Sequence, residues 1–178
     1  MVIISLGDSM YRRKDFMWMY VYDLQGKKLG FIRDLIIDMN ENSVKGFVVS
    51  GMSLLKSVST VLVKDIVSFN KYMIVKKLSK DNYLKFNNIR GLDVIDNSGN
   101  VEGIVEEIIF QISNFKIKGL IISRGILCNF KEGKKVILQR DYIIGDRNIL
   151  HIDKNKKFNF VTVFHKLNLE DGENEKKT

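Results

Sequence analysis

Short runs of apolar and β-branched residues recur along the chain, separated by turn-forming residues. Such runs predict β-strands, here over 31–38, 44–50, 61–67 and 72–75. Residues 16–22 are predicted as a further strand, because bulky rings and β-branched residues suit a pleated, half-buried surface. Evenly spaced short antiparallel strands are typical of a barrel or a sandwich. The pattern therefore predicts an all-β fold, as a small antiparallel β-barrel or a sandwich.

The only tryptophan of the chain, Trp18, lies inside the strand predicted over 16–22. Aromatic side chains bury larger areas than most others, so a lone tryptophan in a strand is usually an anchor of the core. We therefore expect the Trp18 ring to be buried.

A segment of 30 residues occurs twice without gaps, at 21–50 and again at 94–123, and eight of the aligned pairs are identical. Most other pairs exchange one apolar residue for another. Four of the eight identities are residues that shape turns and bulges, since Asp caps its own turn and glycine allows a positive φ or a close backbone approach. This turn and bulge signature consists of Asp23, Gly26, Gly30 and Gly46 in the first copy and of Asp96, Gly99, Gly103 and Gly119 in the second.

The duplication divides the chain into two modules with flanking segments. We predict an N-terminal arm over 1–15 that ends as a polar, solvated lead-in, a first module over 16–78, a linker over 79–85 and a second module over 86–153. Residues 154–178 are predicted to hold one extra strand and a charged tail without fixed structure, because the tail has few apolar residues to bury.

The motif V-Y-D-x-x-G-x-x-x-G-x-I-x-D-x-x-x-D, followed by V-x-G-F-V-V, resembles the PRC-barrel family. The resemblance covers about residues 16–153 as two tandem modules, and the second module has Glu107 and Gln111 where the first has Asp34 and Asp38. Members include a domain of the photosynthetic reaction-centre H subunit, a domain of a ribosome maturation factor, and small sporulation-associated proteins. The resemblance implies six-stranded barrels that serve as protein-interaction modules, with no catalytic residues and no cofactor.

The chain carries a formal net charge of +8, which suits a negatively charged partner such as RNA, DNA or an anionic membrane. A second explanation stays open, because the chain has no Ala and no Pro and is rich in Lys, Asn and Ile, a composition that an AT-rich genome produces by itself. The charge therefore indicates a class of partner without selecting one.

The most basic region lies between residues 56 and 90, where the sequence has eight positively charged residues and two acidic ones. Aromatic residues interleaved with basic ones are typical of RNA binding or of docking on a ribosome, although a solvated linker in a lysine-rich chain has the same pattern. The candidate contacts for an anionic partner are Lys56, Lys64, Lys71, Lys76, Lys77, Lys80, Lys85 and Arg90.

Two carboxylates in the first copy, Asp34 and Asp38, lie four residues apart and would share one face of a regular strand. Such a pair could divide acid and base work or bind a hard cation. The second copy does not keep these acids, so we favour surface polar positions of a barrel strand.

Other candidate chemistry is weak. The two histidines, His151 and His165, have no Cys or His at ligand spacing, and Cys128 has no visible base, so we expect a half-buried thiol. The lysines between Gly26 and Gly30 fit neither nucleotide-binding glycine pattern, and we interpret the segment as a turn. No metal and no cofactor are therefore predicted.

The acidic residues Glu102, Glu106 and Glu107 of the second copy replace Leu29, Arg33 and Asp34 of the first. The two modules should therefore present different surfaces, which contact different partners or pack against each other.

A single cysteine excludes an internal disulfide framework, and no run approaches the roughly 20 apolar residues of a transmembrane helix. We therefore predict a cytoplasmic, non-enzymatic adaptor that recognises protein surfaces through its two barrels. The alternative is a ribosome- or RNA-associated assembly factor that binds through residues 56–90.

Overall fold

The computed structural model describes residues 9–51, 58–80 and 82–152. The first module forms one six-stranded sheet. A short strand, β1 (Met10–Arg12), precedes it, and its own strands are β2 (Tyr20–Tyr22), β3 (Lys28–Asp38), β4 (Ser43–Ser50), β5 (Ser59–Leu62), β6 (Ile66–Phe69) and β7 (Tyr72–Val75).

The second module forms a sheet with the same strand order. Its strands are β8 (Asp93–Ile95), β9 (Val101–Gln111), β10 (Ile117–Ser123), β11 (Lys135–Leu138), β12 (Tyr142–Ile144) and β13 (Asn148–His151), and a helix, α1 (Ile126–Glu132), lies between β10 and β11. Short 3₁₀ turns cover Arg13–Asp15, Val63–Asp65, Phe86–Asn88 and Gln139–Asp141.

Both sheets have the same strand order, β5-β4-β3-β2-β7-β6 in the first module and β11-β10-β9-β8-β13-β12 in the second. Neighbouring strands are antiparallel except for one parallel pair in each sheet, β2 with β7 and β8 with β13. The prediction of an all-β fold made of two tandem modules is confirmed, with the six strands per module that the family resemblance implied.

The turn after the first strand of each module is built in the same way. Asp23 Oδ1 accepts hydrogen bonds from the backbone N–H groups of Gln25 at 3.0 Å and Lys27 at 2.8 Å. Asp96 Oδ1 accepts the equivalent bonds from Ser98 and Asn100. The glycines of these turns, Gly26 and Gly99, have φ values of 79° and 84°, which an L-residue rarely adopts.

Four other signature glycines lie where two strands come close together. A Cβ at Gly30 would lie 2.1 Å from Ser50 O, and one at Gly46 would lie 2.1 Å from Val61 O. The register of β2 against β3 also shifts next to Gly30, which marks a bulge. Equivalent contacts at 2.4 Å would be made by a Cβ at Gly103 or Gly119.

The segments that precede the two modules are exchanged between them. Strand β1 pairs with β9 of the second module, with Arg12 opposite Ile109. Conversely, Lys85 forms a bridge to Ile36 on β3 of the first module. Residues 11 and 12, which begin the predicted solvated lead-in of 11–15, are therefore part of a sheet, and that prediction is wrong for them.

The segment predicted as a linker, 79–85, is also held in place where the structure describes it. Ser79 pairs with Thr60 of β5, and the two backbones exchange hydrogen bonds of 2.8 Å in both directions. At the other end, the N–H of Ile37 donates to Leu84 O at 2.9 Å. The connection is therefore extended against the first module, and the 3₁₀ turn follows it at Phe86–Asn88.

The two modules share one aromatic core. The ring of Phe16 lies 4.9 Å from that of Phe47 in the first module and 5.7 Å from that of Phe110 in the second, measured between ring centroids. Phe115 contacts both Phe47 and Phe110. Because Phe16, Phe47 and Phe110 are fully buried, the hydrophobic core is continuous across the modules.

Backbone hydrogen bonds join the modules a second time at their β3–β4 and β9–β10 turns. The N–H of Val44 donates to Phe115 O and the N–H of Ile117 donates to Asn42 O, both at 2.8 Å. These two bonds connect equivalent residues of the repeat in opposite directions, so an approximate two-fold axis relates the modules.

The prediction that Trp18 anchors the core is wrong, because its side chain is 64% exposed. The strand predicted over 16–22 begins only at Tyr20, since a tight turn precedes it in which the N–H of Met19 donates to Phe16 O at 3.1 Å. This turn directs Phe16 into the core and Trp18 outward. Residues 154–178, including the predicted extra strand, lie outside the described residues.

Candidate interaction surface

Large aromatic side chains are exposed together on the outer side of the first module. Tyr20 lies opposite Phe31 on β3 and opposite Tyr72 on β7, so the three side chains share one surface of the sheet. The Trp18 ring stacks on Phe31 with centroids 5.3 Å apart. Because Trp18, Tyr20 and Tyr72 are all exposed, we call Trp18, Tyr20, Phe31 and Tyr72 the aromatic face.

Two cations lie over the rings of the aromatic face. The Arg33 guanidinium carbon is 4.9 Å from the Trp18 ring centroid and 5.8 Å from that of Phe31. Lys28 Nζ lies 3.2 Å from the ring centroid of Tyr20. Among the described residues, neither cation forms a salt bridge with a carboxylate. The face is therefore both aromatic and positively charged.

The second module does not repeat this surface. Where the first module has Trp18, Tyr20, Lys28, Phe31, Arg33 and Tyr72, the second has Gly91, Asp93, Val101, Ile104, Glu106 and Asn148. The backbone is nevertheless equivalent, since Trp18 has φ 69° and Gly91 has φ 86°. The difference between the modules is thus in the side chains that they present.

A groove of about 560 Å³ continues from the aromatic face toward the connection between the modules. Lys85 and Arg90 come from the basic region of the sequence, and the fold adds two arginines that are distant in sequence. The charged and aromatic residues that line this cationic groove are Arg13, Trp18, Arg33, Asp34, Lys85 and Arg90. Because Trp18 belongs to both and Arg33 of the groove lies over its ring, the aromatic face and the cationic groove form one surface.

The other predicted basic contacts are spread over the molecule. Lys64 lines a separate groove of about 980 Å³ beside Lys45 and Lys116. Lys71 lies in the turn between β6 and β7, and Lys76 and Lys77 follow β7. These residues and Lys80 are exposed, whereas Lys56 lies outside the described residues. Of the eight predicted contacts, the structure thus brings Lys85 and Arg90 together.

Asp34 is buried, with 3% of its surface exposed, so its prediction as a surface position is wrong. Its Oδ1 accepts a hydrogen bond from the N–H of Leu35 at 2.9 Å, and its Oδ2 accepts one from the N–H of Asn87 at 3.0 Å. Burial raises the pKa of the Asp34 carboxyl above its ordinary value, because it disfavours the charged form, although these hydrogen bonds oppose the shift.

Glu107 occupies the equivalent position of the second module and makes the equivalent contacts. It accepts hydrogen bonds from the N–H of Ile108 at 3.0 Å and from that of Lys14 at 3.1 Å. Its Oε1 also lies 3.6 Å from Arg13 Nε. Each buried carboxylate therefore holds the segment that precedes the other module.

Asp34 and Asp38 do not form a site together. The two carboxylates have separate partners, since Asp34 is buried and accepts hydrogen bonds from the backbone N–H groups of Leu35 and Asn87. Asp38 accepts hydrogen bonds from Asn40 and Glu41 in its own turn. Within the described ranges, no group of three or more His, Cys, Asp or Glu residues could hold a metal ion.

The other two acidic replacements of the second module, Glu102 and Glu106, are paired inside that module. Glu102 contacts Lys135 Nζ and His151 Nδ1, each at 2.6 Å, and Glu106 pairs with Lys134. The modules do pack against each other, but of the three acidic replacements Glu107 contacts the first module, whereas Glu102 and Glu106 pair with residues of their own.

Helix α1 exposes apolar side chains on the second module. Ile126 and Phe130 are 87% and 94% exposed, and residues four apart lie on one side of a helix. Asn129 anchors the helix to the end of β10 by donating to Ser123 Oγ at 2.8 Å and accepting from the N–H of Arg124 at 3.0 Å. Cys128 is exposed on this helix, so the prediction of a half-buried thiol is wrong.

A sequence model of the PRC-barrel domain matches residues 8–82 and again residues 81–159. The chain belongs to the PRC-barrel family. The two adjacent matches reproduce the duplication, and each PRC-barrel module contains one of the two sheets. A search of curated proteins found no match. In the part of the chain that the structure describes, no helix is long and apolar enough to cross a membrane.

Proposed function

We propose that this chain is a non-enzymatic adaptor whose first PRC-barrel module binds a protein partner through the aromatic face. The observation that carries the proposal is the exposure of Trp18 beside Tyr20, Phe31 and Arg33. Tryptophan, tyrosine and arginine dominate the binding energy of protein interfaces, and clustered exposed rings mark interaction surfaces.

The backbone at Trp18 strengthens this proposal. A left-handed φ costs a residue with a side chain about 1–2 kcal/mol, and the second module has glycine at this place. Core packing does not explain a tryptophan here, because its ring lies largely in water. Contact with a partner explains both the side chain and its exposure.

The positions of the acidic residues support a role without catalysis. Asp34 and Glu107 accept hydrogen bonds from backbone N–H groups, and Glu102 is paired with Lys135 and His151. These acids therefore stabilise the fold in the described part of the chain. We place the protein in the cytoplasm as part of the same proposal, because its single cysteine supports no disulfide framework.

An adaptor needs a second surface, and helix α1 is our candidate. It presents Ile126 and Phe130 on the second module, which lacks the aromatic face. Two different surfaces on two modules would let the protein join two partners.

Capture of partners from cells that express the protein tests the proposal. We would compare the wild type with a Trp18→Gly/Arg33→Glu double variant, which carries the residues of the second module at both positions, and identify the bound proteins by mass spectrometry. A Val101→Ser/Ile143→Ser variant, altered at exposed apolar residues of the second module, is the control. We expect one partner to be lost from the double variant alone. The same partners on all three proteins would contradict the proposal.

A second candidate function is association with RNA or the ribosome, and the cationic groove with Arg13, Arg33, Lys85 and Arg90 favours it. Contacts to phosphates release counterions, so binding should weaken steeply as salt rises. A titration of ribosomal RNA at several salt concentrations tests this function. If no RNA binds at low ionic strength, the groove does not serve nucleic acid.

A further inference from the structure

We infer that the partner segment bound by the aromatic face and the cationic groove is an acidic polypeptide, rich in Asp and Glu with interspersed apolar residues. The inference rests on the proposed adaptor function and names the chemistry of its partner. It follows from which parts of the exposed rings are free, from the charge balance, and from the continuity of the face with the groove.

The faces of Tyr20 and Trp18 are already partly covered by neighbouring groups. Lys28 Nζ lies 3.2 Å from the Tyr20 centroid, and the Trp18 ring is stacked on Phe31 and contacted by the Arg33 guanidinium. The cationic groups and the ring edges are available to a ligand. Ring edges carry partial positive charge, so both features attract carboxylates.

Nearby acids compensate only part of the positive charge of this surface, since Glu107 pairs with Arg13 at 3.6 Å. Asp23 accepts hydrogen bonds from the backbone N–H groups of its own turn. Asp34 is buried beneath the groove and also accepts hydrogen bonds from backbone N–H groups. Lys28 and Arg33 form no salt bridge among the described residues. An acidic ligand would supply the missing counter-charge.

The aromatic face and the cationic groove can bind one continuous segment. Trp18 belongs to both the face and the groove. Arg33 lines the groove beside it, together with Lys85 and Arg90. A chain with alternating acidic and apolar residues could place carboxylates on the cations and apolar side chains against Trp18 and Val58, which is also exposed at the groove. Complementary charges favour encounter, while the apolar contacts provide affinity.

The same geometry argues against single-stranded nucleic acid as the ligand of the aromatic face. Proteins that bind such strands stack bases on free ring faces. Here Lys28 lies over Tyr20, and Phe31 and Arg33 contact the Trp18 ring, so less ring face is free for stacking. Phosphate contacts in the groove would still be available, so nucleic acid is an outcome that the experiment must distinguish.

The binding test uses defined probes and the full chain. A short peptide of Glu-Glu-Leu repeats is compared with peptides in which Gln or Lys replaces Glu, and with an oligouridylate of similar length. Trp18 is the only tryptophan, so its fluorescence reports binding at the face directly. We expect the Glu peptide to bind about tenfold or more tightly than the Gln peptide and to weaken as salt rises.

Matched variants locate the binding site. Arg33→Glu introduces the residue that the second module carries as Glu106, and we expect it to weaken Glu-peptide binding about tenfold or more. Lys131→Glu makes the same charge change on exposed α1 and should leave binding unchanged. Circular dichroism of both variants shows whether they are folded. Equal losses in both would overturn the proposed site.

Three other outcomes also contradict the inference. Equal binding of the Glu and Gln peptides would show an apolar partner, and tight oligouridylate binding without peptide binding would show a nucleic-acid site. No Glu-peptide binding at low salt would overturn the acidic partner by itself. The capture experiment still decides the adaptor function separately, because it does not depend on the chemistry of the partner.

Discussion

The backbone N–H of Asn87 donates a hydrogen bond of 3.0 Å to the buried carboxylate of Asp34, although the two residues are 53 positions apart. The bond between the Lys14 N–H and Glu107 repeats this relationship in the other direction, across 93 positions. In both cases a strand of one module fixes the segment before the other. The two modules are therefore expected to be stable only together.

Replacement of Asp34 tests the first of these bonds. Asp34→Ala should lower the free energy of unfolding by about 1–3 kcal/mol, because two backbone N–H groups would lose their acceptor in a buried place. Urea denaturation measures the change. Asp38→Ala, altered at a half-buried residue of the same strand, should cost less. Equal losses would contradict the special role of the buried carboxylate.

The pH dependence of stability should also reflect the protonation of the Asp34 carboxyl. Its pKa is raised on folding, so the folded protein holds the proton more tightly than the unfolded chain. Stability from this group therefore decreases as pH rises from the unfolded pKa through the folded pKa. Relative to an Asp34→Asn variant, the wild type should gain stability as the pH is lowered through this window. Parallel pH profiles of the two proteins in urea denaturation would contradict the expectation.

The shared aromatic core predicts a single unfolding transition. Phe16→Ala should cost about 3–5 kcal/mol, because the Phe16 ring packs on both Phe47 and Phe110. Amide hydrogen exchange should show that both modules lose protection together. A variant in which β8–β13 stay protected while β2–β7 exchange would show that the modules fold independently. Ile143→Ala, at an exposed residue, is the control.

The close approach of strands at Gly46 predicts a large steric effect. Gly46→Ala would place a Cβ 2.1 Å from Val61 O, a backbone atom that cannot move without shifting β5. We expect Gly46→Ala to lower the free energy of unfolding several times more than Gly26→Ala does. A Cβ at Gly26 meets no atom within 4 Å, so that variant costs about 1–2 kcal/mol from its positive φ alone. Thermal unfolding compares the two variants. Similar losses would mean that β4 and β5 can separate easily.

Trp18→Gly should change the free energy of unfolding by less than about 1 kcal/mol. Glycine relieves the left-handed backbone at this position, while loss of the contacts with Phe31 and Arg33 removes a similar amount. Urea denaturation followed by circular dichroism measures the difference. A large loss would assign Trp18 to folding and would weaken its role in binding.

The local features of this protein could be predicted from the sequence. The turns at Asp23 and Asp96 follow from residues within four positions of each other, and the repeat places the same turn in both modules. The duplication and the family motif also determined the all-β architecture. The basic region was visible, but the sequence did not show which of its residues would share a groove.

Tertiary structure alone decided where Trp18 and Asp34 point. The tight turn at Phe16 and the bulges of β3 interrupt the alternation of side chains, so the pattern predicted a buried ring and an exposed carboxylate where the structure has the reverse. The pairing of β1 with β9, and the meeting of Arg13 and Arg33 with Lys85 and Arg90, depend on the exchange between modules. Such contacts join distant parts of the chain, and patterns of neighbouring residues cannot predict them.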